Sequence, residues 1–179
     1  TRIALPRRGQ IQLWVKAEDL AALDDGQPVS IWPDASGNDN HLAAKPPHRP
    51  GFTASGVGNR PAVVFAGDIK AEPPVIHRLD VPLDGEWADT TVFVVGTHLD
   101  GPGWLDSNPV HRGCLRTMGG WVQLTGTECG PPPFKRLAGE GIGVATLSLQ
   151  RDANSGALTA ATYSNGHKEG QATDPHPKY

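Results

Sequence analysis

The 179-residue chain has two cysteines, one methionine, 6% aromatic residues and a formal net charge of only −3. No apolar stretch approaches the ~18 residues that a membrane-crossing helix needs. There is no basic stripe or arginine-rich run, so the electrostatic footprint of a nucleic-acid partner is missing. Helical periodicity is almost absent, its best instance being residues 17–23, which Asp24-Asp25-Gly26 ends. No second Cys/His pair stands at zinc-ligand spacing. The start, Thr1-Arg2-Ile3, has neither an initiator methionine nor a signal peptide and reads as a processed or trimmed N-terminus.

What is abundant is punctuation. Glycine (22) and proline (17) together exceed a fifth of the chain, above the ordinary ~12%, which fits a fold with many turns. A hydrophobic content of 37% suits a two-layer sandwich with wet outer faces. The length suits one large all-β domain able to bury ~70% of its unfolded surface, so it needs no staples to fold.

Strand signals recur throughout. Residues 11–15 alternate, and 28–32 follow the Asp25-Gly26 turn. Residues 62–65 and 91–96 are nearly continuous β-branched or aromatic runs, as expected of strands covered on both faces. Residues 120–124, 142–149 and 158–163 complete the set, and Asp152-Ala153-Asn154-Ser155-Gly156 reads as a hairpin turn. Short strands at this spacing describe an antiparallel β-sandwich or jelly roll over residues 1–164. The polar segment 165–179 reads as an extended C-terminal tail.

Cys114 and Cys129 flank a stretch that reads as a hairpin. A disulfide there would close a loop of about fifteen residues, worth ~3 kcal/mol in the loop-entropy model. Few methionines and an even cysteine count fit an exported protein, secreted, periplasmic or surface-held. The alternative is two reduced, buried thiols.

Leu13-Trp14-Val15-Lys16-Ala17 is followed by Pro28-Val29-Ser30-Ile31-Trp32-Pro33-Asp34-Ala35-Ser36-Gly37-Asn38-Asp39-Asn40. Then come Arg49-Pro50-Gly51-Phe52, Arg60-Pro61-Ala62-Val63-Val64-Phe65 and Thr91-Val92-Phe93-Val94-Val95. This ordered set resembles the concanavalin A-like, laminin G-like jelly-roll domains of bacterial exported proteins, over roughly residues 11–96. The resemblance implies a β-sandwich and a role in carbohydrate binding or surface attachment. Such domains usually close with a further strand and a short helix, and nothing like them follows Tyr163-Ser164-Asn165-Gly166. Either that strand is lost, the sequence is a fragment, or a protein partner supplies it.

Four chemistries bear on the function. Glucanases resembling this fold carry Glu-x-Asp-x-x-Glu on one strand, because retaining hydrolysis needs two carboxyls ~5 Å apart. This chain has no such triplet, so no catalytic residue is assigned. Its seven histidines stand beside no nucleophile motif, although a triad dispersed through the sequence stays open. Asp34, Ser36, Asn38 and Asp39 pack side-chain oxygens into one tight turn, which suits Ca²⁺ and equally suits a turn capped by its own side chains. Sugar rings need aromatic faces and planar polar partners. Trp14 and Trp32 lie in strand motifs and are expected in the core. Trp87, Trp104 and Trp121, with Asp106, Asn108, His111, Arg112 and Gln123, form the candidate ligand surface, against the alternative that these tryptophans are simply buried. The expected function is a non-catalytic carbohydrate-binding module, the alternative a non-catalytic subunit of a larger extracytoplasmic assembly.

Overall fold

The computed structural model describes residues 10–66, 68, 70–81, 83, 89–97, 115–118, 121–124 and 142–174, with backbone alone described at 115–118, 121–124 and 174. The chain is all-β. Its regular structure is mostly antiparallel strand, and the described helix is limited to short 3-10 turns such as Ala17–Leu20 and Val57–Asn59. No helix among the described residues is long and apolar enough to cross a membrane. The backbone clusters into two compact units, Thr1–Asp84 and Gly85–Tyr179.

The N-terminal unit is built from short pairs. Strands β1 (Ile31–Trp32) and β2 (Leu42–Ala43) pair antiparallel, as do β3 (Gly51–Thr53) and β4 (Ala62–Val64). The segment before β1 runs along the other side of β3: Gly26 N–H donates to Phe52 O (2.8 Å), Phe52 N–H to Gln27 O (2.9 Å) and Val29 N–H to Pro50 O (2.8 Å). This brings Leu20, Val29 and Phe52 into one buried cluster, with Leu23, Trp32, Val63 and Leu79 packed against it. The β3–β4 connection requires a glycine. A Cβ on Gly56 would lie 2.6 Å from Ala62 Cβ and 2.8 Å from Thr53 Cγ2, closer than carbon atoms pack.

Residues 11–15, expected as a strand, form no ladder. Side chains take the place of a neighbouring strand. Trp14 N–H donates to Asp34 Oδ1, and the Asn38 and Asn40 amides donate to Ile11 O and Gln12 O. Trp14, expected in the core, is 50% exposed. Trp32 is half-buried and anchored through its indole N–H to Lys16 O at 2.8 Å.

The C-terminal unit contains a regular sheet of four strands in the order β10-β9-β8-β5. These are β5 (Thr91–Gly96), β8 (Gly143–Arg151), β9 (Leu158–Ser164) and β10 (His167–Asp174). A separate hairpin pairs β6 (Leu115–Met118) with β7 (Trp121–Leu124). The 152–156 hairpin turn forms as expected. Asp152 Oδ1 accepts from the N–H groups of Asn154 (3.0 Å) and Ser155 (2.7 Å), and Gly156 takes φ +73. The segment read as a tail from residue 165 supplies the edge strand β10 instead. Asn165 and Gly166, both at positive φ (49 and 80), make the two-residue turn that returns the chain beside β9.

Alternation along β8 sorts this sheet into two faces. Leu147, Leu149, Leu158 and Ala160 form the buried cluster, with Val92 packed against it. The hydroxyls of Thr162 and Ser164 lie buried on the same face without a hydrogen-bond partner among the described residues. The other face carries exposed apolar side chains. Phe93 is 63% and Val95 65% exposed, so β5 is not covered on both faces as its apolar run led one to expect. Val64 (46%) and Phe65 (54%) depart from that expectation in the same way.

Candidate functional site

The sequence-derived site residues fall into three groups. Trp87, Trp104, Asp106, Asn108, His111, Arg112, Cys114 and Cys129 lie outside the described residues. Trp121 and Gln123 both fall on β7, where their backbones pair with Met118 and Arg116. The turn residues Asp34, Ser36, Asn38 and Asp39 are described in full.

That turn is an internally bonded clamp. The buried Asp34 carboxylate accepts at Oδ1 from Trp14 N–H (2.9 Å) and Ser36 N–H (2.8 Å). At Oδ2 it accepts from the Ser36 hydroxyl (2.7 Å) and Asn40 N–H (3.1 Å). Burial alone would raise its pKa. The Ser36 hydroxyl and the N–H groups of Trp14, Ser36 and Asn40 outweigh that and hold it down at about 2. The Asn38 amide reaches Ile11 O (2.8 Å) and Ser36 Oγ (3.1 Å), and Asp34 N–H donates to His41 Nδ1 (3.0 Å). Asp39 is exposed with φ 58 and stands outside this network. Three of the four proposed metal ligands are therefore brought together, but both Asp34 oxygens are already engaged by N–H and O–H donors. Among the described residues no three His, Cys, Asp or Glu side chains group at metal-binding distance.

Three of the histidines do local work of the same kind. His41 Nδ1 accepts from Asp34 N–H, His77 Nδ1 accepts from Ala66 N–H (3.1 Å), and His48 Nδ1 bonds Ile76 O (2.9 Å). Each ties a loop to backbone where no ladder partner exists.

Sequence reasoning missed the open face of the four-stranded sheet. Register aligns Phe93 of β5 with Thr146 of β8, Thr146 with Tyr163 of β9, and Tyr163 with Lys168 of β10. One row thus carries an aromatic ring, a hydroxyl, a second aromatic ring and an ammonium group. Neighbouring strands lie ~4.8 Å apart, so the two rings stand ~10 Å apart across the sheet. Thr91, Ser148 and Gln171 flank the row through their pairing, and Lys168 Nζ donates to Gln171 Oε1. The alternation of Val144, Thr146, Ser148 and Gln150 with Ala145, Leu147 and Leu149 was the available signal for a polar face. Phe93 was hidden from it, because it sits in an unbroken apolar run.

Compared with known proteins, the chain matches no family model, no curated protein and no solved structure. The functional reading rests on geometry and chemistry.

Proposed function

We propose that the chain is a non-catalytic carbohydrate-binding module of an exported protein, built as a β-sandwich of the concanavalin A-like type, and that its sugar contacts include the open face of the β10-β9-β8-β5 sheet. The observation that carries this reading is the row Phe93–Thr146–Tyr163–Lys168, with Phe93 63% exposed. Rings on a flat sheet surface offer stacking area to the C–H face of a sugar, and hydroxyl, amide and ammonium groups beside them match its hydroxyls. Trp121 and Gln123, two residues apart on β7, supply the same pair of residue types in the same unit. The test is a glycan array on the intact chain, followed by calorimetric titration of the best hit. Phe93→Ala and Tyr163→Ala are expected to weaken binding about 5-fold each, since one stacked ring contributes on the order of 1 kcal/mol. Unchanged affinity in both variants, with loss in Trp104→Ala or Trp121→Ala, would move the site to the other aromatic cluster.

In the Asp34 turn, the engaged carboxylate favours the capped-turn reading over a calcium site. A Ca²⁺ ion would have to displace donors that already hold the loop to residues 11–14. A melting curve with calcium and with EDTA separates the two, and coincident curves are expected. A Cys114–Cys129 disulfide, against two reduced thiols, is tested by intact mass with and without reduction.

The second reading, a subunit of a larger extracytoplasmic assembly that joins a protein partner through an added strand, is favoured by one observation. Among the described residues β5 has β8 on one side and no strand on the other.

A further inference from the structure

We propose that β5 is the seam on which a second copy of this chain adds, antiparallel and across a two-fold axis at Phe93, so that two four-stranded sheets become one. The proposal takes up the strand-accepting reading of β5 and names its occupant; it does not depend on sugar binding.

Among the described residues the sheet has two edges, with opposite chemistry. The β10 edge carries Lys168 and Glu169, and its register with β9 breaks between Lys168 and Gly170. Charge and a bulge are the usual protections of an edge against another strand. The β5 edge, Thr91-Val92-Phe93-Val94-Val95-Gly96, has no charge, no proline and an unbroken register with β8. A strand protected on neither count is a template for pairing.

Hydrogen-bond phase fixes which groups are free. Leu149 N–H donates to Thr90 O at 2.8 Å, so Thr90 and Leu149 form a hydrogen-bonded pair. Alternation along an antiparallel ladder then turns the N–H and C=O of Val92, Val94 and Gly96 toward β8. The same groups of Thr91, Phe93 and Val95 point away from β8, toward an edge that no strand occupies among the described residues.

Those three positions match themselves. Placing Phe93 opposite Phe93 of a second copy sets Thr91 opposite Val95, and every outward N–H and C=O meets a partner, giving about six inter-chain hydrogen bonds. On the open face the two Phe93 rings become cross-strand neighbours, and each covers apolar surface now in water. On the other face Val92 meets Val94. No like charges are brought together, because 91–96 carries none. The contact is isologous and consumes the edge, so assembly closes at a dimer.

The test uses the intact chain. Light scattering over about a hundredfold concentration range is expected to show a monomer–dimer equilibrium that stops at two copies. In the dimer, amide exchange is expected to slow at Thr91, Phe93 and Val95 and to stay unchanged at Val92 and Val94. Val95→Lys, at a 65%-exposed position, is expected to keep the melting curve of the dilute monomer and to raise the dimer dissociation constant at least ~10-fold. A chain that stays monomeric throughout overturns the proposal, as does a dimer that survives Val95→Lys or leaves the Thr91, Phe93 and Val95 amides exchanging as in the monomer. If the chain stays monomeric while those amides become protected by some other extended segment, β5 accepts a strand but not its own copy. Assembly beyond two copies also overturns the two-fold geometry.

Discussion

The two units solve the same problem, satisfying the backbone, in different ways. In the C-terminal unit a four-stranded ladder pairs the backbone along strands of up to nine residues. In the N-terminal unit no described strand exceeds three residues. There Asp25, Asp34, Asn38, Asn40, His41 and His77 side chains bond backbone groups that a ladder would have held. Buried N–H and C=O groups must be paired one way or the other. A unit that uses side chains for this is vulnerable at single residues, whereas a ladder spreads the load.

The sharpest break of this comparison is Asp34→Ala. It leaves three backbone N–H groups and a hydroxyl without their acceptor, and a loss of about 3 kcal/mol is expected in denaturant titration. A loss under about 1 kcal/mol would show that the clamp does not hold the unit. The same carboxylate sets a pH dependence. Its folded pKa of about 2 lies below the unfolded ~3.9, so its contribution is fully present above pH ~4 and is lost as pH falls from there toward 2. Backbone N–H bonds hold Asp25 and Asp152 below the ordinary carboxylate range as well, so they act in the same direction. Asp34→Asn is expected to flatten that acid slope.

Gly56→Ala is the next step down. The 2.6 Å approach to Ala62 forces the β3–β4 pair apart, at a cost of about 2 kcal/mol by thermal melting. In the ladder unit a change of opposite sign is expected. Thr162 is fully buried and its hydroxyl has no partner among the described residues, so Thr162→Val keeps the shape and removes an unpaired polar group. Its melting temperature is expected to be unchanged or raised, by up to about 1 kcal/mol in stability. A clear drop would mean that a water molecule pairs the hydroxyl.

The comparison also explains what could be read from sequence. Strands β8 and β9 and their turn were legible because alternation and the Asp152–Gly156 signal are local. Residues 11–15 alternate just as well, yet apart from Ala35 N–H on Trp14 O their hydrogen-bond partners are side chains 20 to 28 residues away, which no local pattern announces. Strand β10 was hidden because His167–Asp174 is polar on both faces, as an edge strand facing water can be. The Asp34 turn was visible as a cluster of oxygens, but its two possible uses differ only in where N–H groups point. The aromatic row was illegible because it runs across four strands, and the run holding Phe93 looks the same whether one face or both are covered.

The most direct test of the proposed site is a glycan titration followed by backbone amide NMR on the intact chain. Shifts concentrated at Phe93, Thr146, Tyr163 and Lys168, saturating with the calorimetric affinity, are the predicted result. Saturable binding that leaves all four amides unmoved would contradict it.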